Sequence, residues 1–215
     1  MSNEYKSLDE ALFGRIRREL LSLFLFNPRR RFYLLELVSL LRTGRGGVQR
    51  ELRNLVDAGI VNREREGVKV LFGLSEGCPL ESELRELLLG LVDHRSAVAE
   101  AVDECGRHME MAAMSDSDRG LESCTVKLMV VAEEAPEGLS EALRRVELLC
   151  GIRVDLTLLT PGEAVTGLRG HPDRQWVMQP STVLLHGSLD VLEPRGEEKA
   201  RDGEPDLFSS AGISL

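Results

Sequence analysis

The chain has 215 residues, 42% of them hydrophobic, four cysteines and a net charge of −9. That is enough to bury one large core or two small ones, and typical domain sizes favour two. No apolar run approaches the roughly 18 to 20 residues needed to cross a bilayer, and "MSNEYKSLDE" lacks the basic-then-apolar order of a signal peptide, so the sequence is read as cytoplasmic with no membrane partner.

Cys78, Cys105, Cys124 and Cys150 form no CxxC pair and the four histidines are scattered, which fits reduced, mostly buried thiols; no metal and no cofactor is expected. Charge is uneven along the chain. Residues 1–74 carry 14 Lys/Arg against 9 Asp/Glu, whereas the remainder carries 13 against 27. A basic third joined to an acidic remainder fits a polyanion-binding module attached to one that does not bind polyanions, although an ordinary solvated surface can show the same split.

In chain order, "SLDE" offers Ser7 as an N-cap with Glu10 three residues on. Leu8, Leu12, Ile16, Leu20 and Phe24 follow at fourfold spacing, and this helix should end near "NPRR", because Pro28 disfavours helical geometry at Asn27. A second helix is predicted over roughly Tyr33–Leu41, ending at the glycine-rich "RTGRGG". In "GRGGVQRELRNLVDAGI", Val48, Leu52, Leu55 and Val56 share one helical face and leave Gln49, Arg50, Arg53 and Asn54 on the other. "IVNREREGVKVLFGL" then alternates about a turn at Glu66 and Gly67, predicting a two-stranded hairpin.

Three helices and a hairpin in about 70 residues outline a winged helix-turn-helix, whose second motif helix enters the DNA major groove. Double-stranded DNA is therefore the expected partner, with Arg45, Gln49, Arg50, Arg53 and Asn54 available to bases and phosphates, and Arg63, Arg65 and Lys69 on the hairpin placed to clamp the backbone. "ALFGRIRRELLSLFLFNPRRRFYLLELVSLL" with "GGVQRELRNLVDAGIVNREREGVKVLF" resembles the ArsR-like winged-helix transcription regulators, in particular a subgroup carrying a nucleotidyltransferase-like domain after the DNA-binding one. The resemblance covers about residues 8–92. It departs at the turn, where Gly44, Arg45, Gly46 and Gly47 replace the usual Ser or Thr cap; glycine there weakens the helix start and lets backbone approach a phosphate.

Next, "PLESELRELLLGLV" places Leu80, Leu84, Leu87, Leu88 and Leu91 on one stripe. The resemblance implies that this helix helps form a homodimer, with Leu84, Leu88 and Leu91 the candidates; packing within the chain is the other use of such a stripe. A helix from Ser96 to about Gly106 follows, with Ala97, Val98, Ala101, Val102 and Cys105 inward, and the boundary between domains is expected near Val92–Arg95.

The second half reads as strand "HMEMAAM", strand "TVKLMVVA", helix "GLSEALRRVELLCG" and strand "IRVDLTLLTP", the order of an α/β sheet unit. It is similar to the minimal nucleotidyltransferase fold over about residues 95–188, ending in "TPGEAVTGL" and "DRQWVMQPSTVLLHG". An active member needs Gly-Ser after the first strand to hold triphosphate and Asp-x-Asp on the second to hold Mg²⁺. By this resemblance Asp116 and Ser117 fall at the Gly-Ser position, Thr125 and Lys127 at the two aspartates, and Asp155 at a third carboxylate, which implies a pseudoenzyme. Gly187 and Ser188 read as a turn after the last strand, and "SDSD" at Ser115–Asp118 reads as a solvated loop without the closing glutamate of a calcium loop.

From Glu193 the chain is charged and rich in proline and glycine, and a disordered tail is predicted. The resulting expectation is α/β overall: a winged-helix DNA-binding unit with a dimerisation helix over 1–92, a degenerate nucleotidyltransferase-like domain over 93–192, and a tail over 193–215. Functionally it is a sequence-specific DNA-binding transcription regulator with a sensing or scaffold half that responds to a nucleotide or protein effector. Alternatives are an active nucleotidyltransferase with an atypical site, or an antitoxin-like protein-binding partner.

Overall fold

The computed structural model describes residues 12–106, 109–119, 124–167 and 172–192; the predicted cap at Ser7 and the predicted tail lie outside them. The chain is mixed α/β. Its first half contains α1 (Arg15–Phe26), β1 (Phe32–Tyr33), α2 (Leu34–Leu40), α3 (Arg45–Asp57), β2 (Val61–Glu66), β3 (Lys69–Leu74) and α4 (Glu81–Leu91). The second contains α5 (His94–Cys105), β4 (Met111–Arg119), β5 (Cys124–Val131), α6 (Leu139–Cys150), β6 (Ile152–Leu159), α7 (Pro161–Gly167), α8 (Pro172–Val177), β7 (Val183–Gly187) and a 3₁₀ turn at Leu189–Leu192.

The first sheet has the order β1-β3-β2, antiparallel throughout. The expected hairpin is present, reversing at Gly67, whose φ of 61° suits a residue without a Cβ. Only β1 was not anticipated: two residues, Phe32 and Tyr33, pair with Phe72 and Leu71 just where the helix was predicted to begin. Leu20, Phe24, Phe32, Leu37, Val48, Leu52 and Val61 fill the core between this sheet and the helices.

Leu12 and Phe13 are also helical, and Gly14 at φ 69° separates them from α1, an interruption that the fourfold spacing does not show; the predicted start lies outside the described residues. Helix α1 is buried more completely than a fourfold stripe requires: Glu19, Leu20, Leu21, Ser22, Leu23, Phe24 and Leu25 are all buried. The reason is a second neighbour, since Leu148 and Leu149 of α6 pack onto the same core as α4 and the winged-helix elements. Asn27 Nδ2 reinforces this contact by donating to Leu148 O at 2.9 Å. At Gly151, which ends α6 with φ 66°, the backbone approaches Phe26 so closely that a Cβ would stand 2.7 Å from the ring.

The dimerisation assignment needs correction at Leu88. Leu88 is fully buried in the winged-helix core, Leu84 packs at its edge, and Arg85 Nη1 of the same helix donates to Leu25 O at 3.3 Å. A residue with no exposed surface in one chain cannot offer that surface to a second, so Leu88 is a core residue. Helix α5 likewise begins earlier than expected, because the Asp93 carboxylate accepts from Ser96 N and caps it.

The second sheet has the order β6-β5-β4-β7; β5 and β6 are parallel and joined through α6, and β4 pairs antiparallel with both β5 and β7. One face buries Ala112, Met114, Val126, Leu128 and Val130 against Val98 and Val102 of α5 and Val146 of α6. On the other, Met111, Ala113, Met129 and Val131 pack with Ala164, Trp176, Val177 and Leu192. The "SDSD" segment is strand rather than loop: β4 continues through it to Arg119, with a register shift between Asp116 and Asp118.

Candidate nucleic-acid interface

Helix α3 is fixed from beneath by its apolar face. Val48, Leu52 and Leu55 are buried and Val56 is half-buried. Its glycines divide in purpose: Gly46 faces open space, whereas a Cβ on Gly47 would come within 2.7 Å of Ile16 Cδ1. Gly47 thus lies against the Ile16 side chain of α1, whose terminal methyl would have to shift to admit a Cβ.

An ion pair completes the seat. Arg17 Nε donates to Glu51 Oε2 at 2.8 Å, and Asn54 Nδ2 approaches the same oxygen at 3.4 Å. Burial works against charge on Glu51, yet these hydrogen bonds, with the fields of Arg17 and Arg50, leave its carboxyl below the usual range. Arg45, Gln49, Arg50, Arg53 and Asn54 are exposed on the opposite side. They form one polar surface on a helix anchored from beneath.

The hairpin residues do not act as one cluster. Cross-strand pairs Arg63↔Phe72 and Arg65↔Val70 put both arginines on the sheet face shared with Val61 and Phe32, which packs toward the helices. Lys69 pairs with Glu66 on the reverse face, where its Nζ lies 5.3 Å from the Tyr33 ring centroid. Arg31 also pairs with Glu64 there. The predicted three-residue clamp is thus two arginines on one face, with Lys69 separated from them.

The turn between α2 and α3 contains a feature that composition concealed. Its left-handed residue is Arg42, at φ 46°, rather than one of the glycines. Arg42 Nη1 donates to Glu104 Oε1 of α5 at 2.5 Å, and this hydrogen bond holds the Glu104 carboxyl below its usual range. Nearby, Arg145 Nε of α6 donates to Leu40 O at 2.6 Å, and Arg15 Nη2 donates to Leu41 O at 3.3 Å. The orphan carbonyls ending α2 are therefore satisfied partly from the second half. No local spacing signals a bond across about a hundred residues.

In the second sheet, Lys127 lies in register with Ser115 on one side and Asp155 on the other, and Thr125 stands two residues away on the same face. Asp116 is in register with Val126, and Ser117 falls within the register shift, so neither begins a helix as a phosphate-binding Gly-Ser would. Among the described residues no three His, Cys, Asp or Glu side chains are grouped to hold a metal. No helix among them is long and apolar enough to cross a membrane.

Fold and surface together define a winged helix-turn-helix built onto a mixed α/β sheet. No protein-family model matches the chain and no curated protein matches it. Reduced HlyU from Vibrio cholerae N16961 is similar at 24% identity over 41% of this chain and 80% of that one, with a TM-score of 0.30. Human N-acetylserotonin methyltransferase in complex with SAM is similar at 16% identity over 48% of this chain and 36% of that one, with a TM-score of 0.25. Superpositions this partial carry no functional argument, and the assignment of class rests on topology and surface.

Proposed function

We propose that this protein is a sequence-specific DNA-binding transcription regulator whose second half is a nucleotidyltransferase-like unit without transfer activity, used for sensing or as a scaffold. The observation that carries the reading is α3: an anchored helix whose free face presents Gln49, Arg50, Arg53 and Asn54. Arg matches guanine O6 and N7, and Gln and Asn match adenine N6 and N7, in the groove that such a helix enters. Arg63 and Arg65 serve phosphates, where charge counts more than identity. A homodimer on a palindrome belongs to the same reading, since two recognition helices about 34 Å apart multiply the bases read.

What supports an inactive second half is the chemistry beside Asp155. Asp155 stands in register with the cationic Lys127, and among the described residues no three carboxylates are grouped to share Mg²⁺ with a triphosphate. Lysine can still meet a phosphate, so nucleotide binding and nucleotidyl transfer are separable in this unit.

Selection of bound duplexes from a random pool by the full chain tests the proposal. Enrichment of a defined, palindromic sequence is the expected result. A pool that stays random, with binding that depends on salt alone, would refute sequence-specific recognition.

A further inference from the structure

Helix α2 ends in a turn that ordinarily calls for glycine. Thr43 N donates to Val38 O at 3.4 Å and Arg42 N to Ser39 O at 3.2 Å, the bond pair of a Schellman motif. The left-handed position of that motif belongs most often to glycine, because a Cβ is crowded there. Here Arg42 holds it at φ 46°, although Gly44 follows close by. A side chain kept where its backbone is disfavoured points to a task for that side chain.

The task visible in the structure is a tie to the second half. Arg42 Nη1 donates to Glu104 Oε1, near the end of α5, at 2.5 Å, and Arg145 Nε of α6 donates to Leu40 O at 2.6 Å. Both second-half residues line a cavity of about 550 Å³ that opens between α1, α5 and α6. Helix α5 thus faces α1 across open volume, with room to shift, while its end is bonded to the turn that leads into α3. On its other side α3 is tied to α1 through Arg17 and Glu51.

We propose that Glu104 is a positioning residue for DNA recognition: through Arg42, and supported by Arg145, it fixes the turn before α3 and lets the second half set how α3 is presented. This rests on the DNA-binding reading above. Both partners of the ion pair are nearly half exposed, which bounds the effect at about fivefold in an equilibrium constant.

Charge gives the test its sign. Glu104→Ala removes an acid from a chain that faces a polyanion, so electrostatics alone would leave duplex binding unchanged or tighten it. A tie through Arg42 requires the opposite. Fluorescence anisotropy on a duplex enriched by the full native chain should show Glu104→Ala weakened by about two- to fivefold. Glu100→Ala, the same charge change one turn earlier on the exposed surface of α5, should bind as well as the native chain or better. Arg42→Gly keeps the left-handed turn without the guanidinium, and adding Glu104→Ala to it should cost no further affinity. Melting curves should place both single variants close to the native chain.

Glu104→Ala binding as tightly as Glu100→Ala, or losses that add in the double variant, would overturn the positioning role. A loss of affinity that tracks a fall in melting temperature would make Glu104 a folding residue and overturn it too. A native chain that enriches no duplex would instead refute the regulator reading, and this proposal with it.

Discussion

Replacing Gly151 by alanine tests the seating of the two halves on each other. Gly151 has φ 66°, and a Cβ there would lie 2.7 Å from Phe26 Cγ, 3.0 Å from Cδ1 and 3.1 Å from Cβ. The left-handed conformation costs a residue with a Cβ about 1 to 2 kcal/mol. Forcing the ring aside in a packed contact costs about 1 to 3 kcal/mol more. The expected total is about 2 to 5 kcal/mol, and each kcal/mol lowers Tm by about 2 to 4 °C in a chain of this size. Thermal melts by circular dichroism provide the measurement, with Gly46→Ala as the control. Gly46 lies in α3 with open space around it, so alanine there should be neutral or stabilising by up to about 1 kcal/mol. A Gly151→Ala protein melting within about 2 °C of the native chain would refute the close approach of α6 to α1.

Leu88→Ala should destabilise the fold by about 2 to 5 kcal/mol in urea melts, while Leu87→Ala, on a residue 42% exposed, should cost well under half of that; equal effects would contradict the core placement. The lowered carboxyl of Glu51 contributes stability above its ordinary pKa of about 4.3 and loses it as pH falls through the folded value. Glu51→Gln should therefore be less stable than the native chain at pH 7, and the gap should close in acid; a gap independent of pH would rule out the Arg17 pair as its source. With Mg²⁺ or Mn²⁺ and each of the four triphosphates, the protein should transfer no labelled nucleotide to itself, to RNA or to a partner protein. Labelling that disappears in Asp155→Ala would overturn the inactive reading.

Periodicity revealed those elements that use one neighbour. The apolar face of α3 and the alternation around Gly67 are determined by local packing, and both were legible. The continuous "LLSLFLF" run in α1 was legible as helix but not as a helix surrounded by partners, because α6 is more than a hundred residues away. Strand β1 escaped notice since two residues show no period. "SDSD" reads as a solvated loop in the sequence, yet pairing with Thr125–Lys127 keeps it in the sheet. The stripe on α4 showed that an apolar surface must be covered; whether by the same chain or a second copy is not encoded in spacing, and the burial of Leu88 decides it for that residue. At the candidate interface the exposed face of α3 could be read directly, whereas the bonds from Arg42 to Glu104 and from Arg145 to Leu40 depend on the tertiary fold.

The central claim is that α3 reads bases, and duplex selection repeated with Arg50→Ala and Arg53→Ala tests it most directly. If either arginine meets a guanine, its loss should cost about 1 to 3 kcal/mol on the preferred duplex and relax the preference at one or two positions, leaving the rest of the sequence intact. Lys69→Ala, on the reverse face of the hairpin, should leave the selected sequence unchanged. Identical selected sequences and affinities from the native chain and both arginine variants would contradict the account and move the DNA-binding surface off α3.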